Sequence, residues 1–286
     1  MARGLARSRS HAARLVDSGL VRLNGQTMRK AAAAVRPSDS LVTDADPYVS
    51  RAAHKLIGAL DDLDLAVGGR ALDAGASTGG FTQVLLERGC ARVFAVDVGT
   101  GQLDPDLRAD PRVVVREQTN LRHLDLTVLE GRPVDLVVAD VSFVSLRLLV
   151  EPLVRVTRPD GWLLLLVKPQ FEVGRERLGK GGIVVDPTLR SAAVAGVAVE
   201  AERLGWEAAA RVPSRLAGAG GNQETFVLLR PAGEASGSPV REGRGRRVGQ
   251  PYAVAGEARV QRSPAPGGGA DPHGSAGRDQ GGHPAG

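Results

Sequence analysis

The sequence predicts an α/β fold in which helices cover both faces of a mostly parallel β-sheet. From residue 70 onward, short apolar runs alternate with helix-like segments, and near-continuous apolar strands are typical of a sheet buried on both faces. The predicted strands cover residues 70–74, 92–97, 112–116, 134–139, 162–168, 206–212 and 224–230. The predicted helices cover residues 51–66 (with Ser50 as N-cap), 80–88, 145–156 and 187–204. We expect the last strand to enter antiparallel at an edge of the sheet.

Composition divides the 286-residue chain into four segments. Residues 1–45 form a small basic module, 46–50 a connector, 51–230 the α/β domain, and 231–286 a tail. The tail holds 14 Gly and seven Pro among its 56 residues and has no hydrophobic periodicity. Because such a segment cannot bury enough apolar surface to offset its ordering entropy, we expect a disordered C-terminal tail.

The basic module is predicted to be a small α/β unit. Apolar residues at helical spacing indicate a helix from about Ser10 to Ser18, and Gly19 is placed to end it. A short strand over residues 20–23 follows, and Asn24-Gly25 is a strong signal for a two-residue hairpin turn.

Positive charge is concentrated at the N-terminus. The net charge is +6 over residues 1–55, −3 over 56–230 and +2 over 231–286. A concentrated positive end is typical of a protein that binds a phosphate-rich partner. A solvated basic surface explains the same charge equally well.

Other features favour a cytoplasmic protein. Cys90 is the single cysteine, so no internal disulfide can form. No apolar run approaches the ~18 residues that a membrane span needs, and the Arg-containing N-terminus lacks the apolar core of a signal peptide. We therefore expect a cytoplasmic location with no membrane partner, and we predict no metal site.

A glycine-rich turn after the first sheet strand predicts a nucleotide-like cofactor. The strand ends at Asp73, and the turn that follows leads into a helix; the next strand ends at Asp97, where a carboxylate can bind ribose hydroxyls. In the register of a dinucleotide motif the chain reads Gly75, Ser77, Gly80, so the glycine that admits a pyrophosphate is missing. S-adenosylmethionine has no phosphate, and its sulfonium suits a nearby carboxylate.

Polar side chains also stand at the ends of three later strands. Asp140 ends one, Lys168 comes directly after six apolar residues, and Glu224 begins the last. The chain has 33 Arg but only four Lys, and Lys, unlike Arg, can lose its proton in a protein. Lys168 is therefore a candidate for chemistry beside the cofactor, although ordinary strand-end caps and chance retention of Lys would give the same residues.

Seven strings in the order YVSRAAHKL, LDAGASTGGFT, DVGTGQL, DLVVADVSF, LVKPQFEVG, GGIVVDP and GNQETF span residues 46–230. They resemble the haemolysin-A-type (TlyA) family of ribosomal RNA 2′-O-methyltransferases. The resemblance implies a Rossmann-like class I methyltransferase sheet preceded by a small RNA-binding module, partial here because the chain begins late in it. It also implies S-adenosylmethionine as cofactor, ribosomal RNA or ribosomal subunits as partner, and cytidine as the target; oligomeric state stays open.

The resemblance assigns roles to particular residues. It implies a catalytic tetrad of Lys55, Asp140, Lys168 and Glu224. The expected cofactor contacts are Asp73, Gly75, Ser77, Gly79, Gly80, Phe81, Asp97 and Asp140, and the expected RNA contacts are Arg7, Arg9, Arg14, Arg22 and Arg51. We expect Lys168 to act as a base or to stabilise the alkoxide, Asp140 to orient Lys168 and the cofactor, and Lys55 and Glu224 to position the ribose.

Three other functions compete with this interpretation. A non-catalytic RNA-binding or ribosome assembly factor is disfavoured because all four tetrad positions are present. A membrane-lysing haemolysin, which the family's historical name suggests, is disfavoured because no span, signal peptide or clear pore segment is seen. An NAD-dependent oxidoreductase is disfavoured by Ser77 in the phosphate position.

Overall fold

A computed structural model describes residues 3–6 and 9–233 of the protein. Arg7 and the predicted tail from residue 234 onward lie outside the described residues.

The N-terminal module is a helix packed on a small antiparallel sheet. It consists of α1 (Arg9–Asp17), β1 (Val21–Leu23), β2 (Gln26–Thr27) and β3 (Leu41–Thr43), in the order β2-β1-β3. The Asn24-Gly25 turn has positive φ at both residues, 51° and 82°, as a type I′ hairpin turn requires, so this prediction is confirmed. Leu15, Val16, Val21 and Met28 form its buried core.

The main sheet has seven strands. They are β4 (Arg70–Ala74), β5 (Arg92–Val96), β6 (Val113–Arg116), β7 (Val134–Ala139), β8 (Thr157–Val167), β9 (Trp206–Pro213) and β10 (Thr225–Pro231). Their order is β6-β5-β4-β7-β8-β10-β9, and the first five pair in parallel. The predicted α/β fold with a mostly parallel sheet is confirmed, and β8 begins at Thr157, earlier than predicted.

The last strand is antiparallel, as predicted, but it does not lie at the edge. β10 is inserted between β8 and β9 and pairs antiparallel with both. Residues Phe226 to Leu229 are apolar and buried in succession, so they need cover on both faces of the strand. β9 alternates partly buried and exposed residues and ends at Pro213, a composition that suits an edge strand.

Five helices complete the domain. They are α2 (Ala52–Asp62), α3 (Gly80–Glu87), α4 (Pro105–Arg108), α5 (Val150–Arg155) and α6 (Pro187–Arg203). Ser50 does not cap α2: the N-cap is Arg51, with no side-chain hydrogen bond. The predicted helix over 145–156 is split into a 3₁₀ turn, Leu146–Leu148, and α5, because Pro152 cannot donate a backbone hydrogen bond to the preceding turn.

Two apolar layers enclose the sheet. On one face, α5 and α6 pack against inward residues that include Leu72 and Phe94. On the other, α2, α3 and α4 pack against residues that include Ala71 and Val93. The loops at the carboxyl ends of β4, β7 and β8 are thereby held at one edge of the sheet, where open α/β sheets bind ligands. None of the described helices combines the length and apolarity needed to cross a bilayer.

Candidate active site

A cavity of about 520 Å³ opens at the carboxyl ends of β4, β7 and β8. Its wall includes most of the residues singled out in the sequence: Arg51, Lys55, Asp73, Gly75, Ser77, Gly80, Phe81, Asp140, Lys168 and Glu224. The topology explains this convergence, because the ends of parallel strands meet at one edge although they are far apart in the chain.

Lys168 and Asp140 form an ion pair on the cavity wall. The Lys168 Nζ lies 2.6 Å from Asp140 Oδ1, and the two side chains are only 11% and 15% exposed. The geometry at Oδ1 is that of a close charge contact rather than an aligned hydrogen bond. The ammonium donates instead to Ser142 Oγ at 2.9 Å. Lys168 is therefore held by two groups of the β7–α5 loop and faces the cavity.

Lys55 and Glu224 form a second, more deeply buried ion pair. Lys55 Nζ donates to Glu224 Oε2 at 2.5 Å, and the side chains are 6% and 2% exposed. Lys55 comes from α2 and Glu224 from the residue before β10, so the pair joins the start of the domain to its end. The Cα of Gly218 packs against the Glu224 carboxylate, where a Cβ would collide. The two ion pairs leave the cavity wall balanced in charge at these four residues.

The glycine-rich turn brings backbone close to Asp140. Gly75 has φ of +87°, and a Cβ there would lie 2.9 Å from the Asp140 carbonyl oxygen. Ser77 also has a positive φ, 47°, a conformation uncommon outside glycine. Gly75 N and Ala76 N both donate to the carbonyl of Val96. The turn is thus fixed between β5 and the end of β7 with its backbone facing the cavity.

Asp73 is the most deeply buried carboxylate of the site, with 0% exposure. Thr82 Oγ1 donates to its Oδ2 at 2.6 Å, while Oδ1 has no hydrogen-bond partner among the described residues. Burial raises the pKa of Asp73 to about 7, opposed by the Thr82 hydrogen bonds and reinforced by the negative charges of Asp140 and Asp97. A positive charge placed beside Asp73 would favour its ionised form.

Two predicted cofactor residues do not reach the cavity wall. Asp97 accepts hydrogen bonds from Ser77 N at 2.9 Å and Gly99 N at 2.7 Å. Gly79, with φ of +97°, faces Leu103 and Leu107. Asp97 and Gly79 therefore stabilise the conformation of the turn without lining the cavity.

The predicted RNA-contacting arginines are in different environments. Arg51 lies on the cavity wall. Arg9 is exposed and has no ion-pair partner among the described residues. Arg22 pairs with Asp44 at 2.7 Å, and Arg14 lies 3.7 Å from Asp104 and 4.0 Å from Asp106 of the main domain.

Comparison with known proteins agrees with this architecture. Residues 48–231 match the FtsJ-like methyltransferase family, and residues 1–41 match the S4 domain. The chain is 53% identical over 232 residues to the 16S/23S rRNA (cytidine-2′-O)-methyltransferase TlyA of Mycobacterium tuberculosis, covering 80% of this chain and 86% of that protein. It is 32% identical to the 23S rRNA (cytidine-2′-O)-methyltransferase TlyA of Campylobacter jejuni, covering 77% and 92%.

The chain belongs to the TlyA family of FtsJ-like methyltransferases. The resemblance read from its motifs is therefore confirmed.

Two solved structures are similar to this chain in both fold and sequence. A Streptococcus thermophilus protein described as a hemolysin has a TM-score of 0.64 at 36% identity, covering 81% of this chain and 86% of that one. A Lactococcus lactis protein of the same description has a TM-score of 0.62 at 42% identity, covering 64% and 88%.

The structure adds wall residues of the TlyA cavity that sequence reasoning passed over. Phe143 is 93% exposed, has φ of +64°, and lies 5.3 Å from Phe171 between ring centroids. Asn222 is buried: its Oδ1 accepts from Val184 N at 2.9 Å and its Nδ2 donates to Gly182 O at 3.0 Å. Gln170 also lines the wall. All three lie inside the quoted motifs, but a single sequence does not reveal which motif residues face a cavity.

Proposed function

We propose that this TlyA-family protein transfers a methyl group from S-adenosylmethionine to the ribose 2′-hydroxyl of a cytidine in ribosomal RNA. The observation that carries the proposal is the Lys168–Asp140 ion pair on the wall of the cavity that the glycine-rich turn also lines. Such a transfer requires an amine and a carboxylate near the acceptor oxygen, and a backbone turn that a cofactor can contact. The names of the M. tuberculosis and C. jejuni relatives support the choice of cytidine.

The residues of the turn fit a cationic nucleoside cofactor. Asp73 Oδ1 is buried without a partner and faces no competing cation in the described residues, so a positive ligand would satisfy it. Gly75 lets the turn pack directly against the Asp140 carbonyl, which keeps the cofactor turn and the Asp140 loop together on the cavity wall. Asp73, Gly75, Ser77, Gly80 and Phe81 would hold the cofactor, with Asp97 fixing the Ser77 backbone. When bound, S-adenosylmethionine supplies a methyl group activated by its sulfonium.

Lys168 is the group that acts on the attacking oxygen. A ribose hydroxyl becomes a better nucleophile when a neighbouring amine accepts its proton or an ammonium stabilises the negative charge that develops on O2′. The 2.6 Å contact with Asp140 and the 2.9 Å bond to Ser142 hold Nζ in one place. Alignment of the acceptor oxygen with the methyl group supplies much of the acceleration. The Lys55–Glu224 pair positions the ribose beside it.

Features outside the catalytic residues support ribosomal RNA as the substrate. The basic S4-like module, taken as residues 1–45 with a connector at 46–50, would bind phosphates, and the domain at 51–230 would carry out the transfer. The exposed Phe143 ring at the cavity wall offers a nucleobase a surface to stack on. This reaction belongs in the cytoplasm, where ribosomal subunits are.

Replacement of Lys168 tests the proposal. Lys168→Ala removes the amine, and Lys168→Arg keeps a cation that cannot lose its proton. Lys168→Ala is expected to lower methyl transfer from labelled cofactor to ribosomal subunits by about 100-fold or more, with cofactor affinity retained. A similar loss in Lys168→Arg identifies the amine as the base, whereas substantial turnover by Lys168→Arg identifies the positive charge as the contribution. Mapping of 2′-O-methylation on the RNA identifies the product.

Lys180→Arg is the matched control, because Lys180 does not line the cavity and the same substitution should there preserve turnover. Full turnover by both Lys168 variants would reject the catalytic role. Binding of subunits with no methyl transfer by the wild-type protein would favour a ribosome assembly factor instead.

A further inference from the structure

A buried carboxylate near the cavity takes no part in the proposed transfer. Glu172 lies four residues after Lys168, its side chain is only 2% exposed, and it does not line the cavity. Burial raises the pKa of Glu172, and the hydrogen bonds that the carboxylate accepts oppose this effect. Because removing a carboxylate from water costs free energy, the groups that it contacts indicate what it stabilises.

The Glu172 carboxylate holds the β7–α5 loop, residues 140–149. Its Oε2 accepts a hydrogen bond from Ser145 Oγ at 2.6 Å, and its Oε1 accepts one from Leu146 N at 2.7 Å. Leu146 begins the 3₁₀ turn Leu146–Leu148, which has no side-chain cap from Ser145. A carboxylate from a different loop therefore satisfies the first backbone donor of this turn.

A hydrogen-bonded turn connects Glu172 to Lys168 within the β8 loop, residues 168–172. Phe171 N donates to Lys168 O at 3.0 Å, and Glu172 N donates to Pro169 O at 3.0 Å. Pro169 is the first residue of this 3₁₀ turn, and its ring fixes φ there. A displacement of Glu172 would therefore be transmitted to Lys168.

The β7–α5 loop and the β8 loop meet at three successive points. At the first, Lys168 contacts Asp140 and Ser142. At the second, the Phe143 and Phe171 rings lie 5.3 Å apart between centroids. The carboxylate forms the third, where it is less exposed than any of these side chains. Because shielding from water strengthens hydrogen bonds, this third point is the firmest attachment between the two loops.

We propose that Glu172 is a positioning residue for methyl transfer, which fixes the β7–α5 loop to the β8 loop and thereby holds the Lys168 amine in place. The inference rests on the proposed function. Since Glu172 does not line the cavity, its effect reaches the reacting atoms through Lys168. Misplacement of a catalytic group by about 1 Å can lower a rate about 100-fold.

Substitutions of Glu172 and Lys168 in combination test this role. Glu172→Ala is expected to lower kcat by about 10- to 100-fold, with KM for ribosomal subunits and Kd for S-adenosylmethionine changed by less than about threefold. In protein that already carries Lys168→Ala, the same substitution should cause at most about a further twofold loss, because the group that it positions is absent. A side chain that only stabilised the fold would lower activity by the same factor in both backgrounds.

Two milder substitutions extend the test, and they decide it if Glu172→Ala does not fold. Glu172→Gln keeps an oxygen for Leu146 N and gains an amide that can donate to Ser145 Oγ, so its kcat should stay within about threefold of the wild type. Ser145→Ala removes one of the two hydrogen bonds from the opposite loop. It should lower kcat by about three- to tenfold in the wild type and leave the activity of Lys168→Ala unchanged.

Asp125→Ala is the matched control. Asp125 also caps a 3₁₀ turn, Leu126–Leu129, by accepting from Thr127 N at 2.8 Å, but it does not line the cavity or contact the β8 loop. Its substitution should leave kcat unchanged.

The inference is overturned if Glu172→Ala and Ser145→Ala both retain the wild-type kcat, or if either lowers activity by the same factor with and without Lys168. In those outcomes the wild-type protein still transfers methyl groups, and the proposed function stands. Absence of methyl transfer by the wild-type protein rejects the proposed function, and the inference with it.

Discussion

At the scale of single residues, the site combines paired and unpaired charges. Lys55 and Glu224 neutralise each other in the interior, and so do Lys168 and Asp140 nearer the opening. Asp73 has no cationic partner among the described residues, and burial raises its pKa to about 7. A buried carboxyl group without a cationic partner lowers the stability of the protein when no ligand is bound. Such groups are common at sites that bind a charged ligand.

The raised pKa of Asp73 predicts the pH dependence of stability. The folded state keeps a proton that the unfolded chain, in which the carboxyl has its ordinary pKa of 3.8, releases at lower pH. The free energy of unfolding should therefore fall as pH rises through the window from about 4 to about 7, by roughly 4 kcal/mol in all. Asp73→Asn should remove this fall and be more stable than the wild type at pH 8, as measured by denaturant unfolding.

Asp186→Asn is a suitable comparison for that measurement. Asp186 is an exposed helix cap whose pKa is lowered by its hydrogen bonds to Thr188, so its contribution to stability is already complete above pH 4 and the slope between pH 5 and 8 should not change. If Asp73→Asn leaves the slope of the wild type intact, Asp73 is ionised in the empty cavity.

At the scale of elements, the glycine-rich turn depends on two separate properties of Gly75. Its positive φ disfavours any side chain, and its Cα lies so close to the Asp140 carbonyl that a Cβ would reach within 2.9 Å. Gly89 shares the first property, with φ of +101°, but nothing lies within 4 Å of its Cβ position. Substitutions at the two glycines therefore distinguish the effect of backbone strain from the effect of close contact with the Asp140 carbonyl.

Gly75→Ala is expected to destabilise the protein by more than Gly89→Ala. Backbone strain alone costs about 1–2 kcal/mol, whereas Gly75→Ala must also push the turn away from the end of β7. Cofactor affinity should fall at least tenfold in Gly75→Ala and stay unchanged in Gly89→Ala, as measured by calorimetric titration with S-adenosylmethionine. Equal effects of the two substitutions would show that the approach to Asp140 has no consequence for the turn.

At the scale of the whole molecule, the N-terminal module and the main domain are joined by specific contacts. Gln83 of α3 accepts from Val49 N at 3.0 Å and donates to Pro47 O at 3.1 Å, which fixes the connector to the helix that follows the cofactor turn. Arg14 of α1 lies beside Asp104 and Asp106 of the main domain. Arg14, which was predicted to contact RNA, thus lies beside acidic residues of the main domain.

Among the predicted RNA-contacting arginines of the module that the structure describes, Arg9 is the one that is exposed and forms no ion pair with a described residue. Arg9→Ala is expected to weaken binding of ribosomal RNA and to reduce the slope of log affinity against log salt by about 0.7–0.9. Arg155→Ala, an exposed arginine paired with Glu151 on α5, should leave that slope unchanged. An unaltered slope in Arg9→Ala would remove Arg9 from the RNA-binding surface.

The order of the elements followed from the sequence alone, as did the position of three polar residues at strand ends, whereas the tetrad remains a prediction that the resemblance implies. Alternation of apolar strands with helices is a local pattern, and each of Asp140, Lys168 and Glu224 interrupts or adjoins an apolar run. The prediction that Ser50 caps α2 was wrong, because which residue ends up at the N-cap depends on the folded backbone. The helix predicted over 145–156 is divided ahead of Pro152, a break that the apolar pattern alone does not reveal although the proline is visible in the sequence.

Only the tertiary structure decided which charges pair and which atoms remain without partners. Lys55 meets Glu224 across 169 positions of the chain because β10 is inserted between β8 and β9 rather than at the edge. The same long-range packing exposes Phe143, leaves Gln170 Oε1 without a donor among the described residues and turns Asp97 toward the backbone of Ser77. Local sequence determines which groups are available, whereas burial and strand order determine what each group faces.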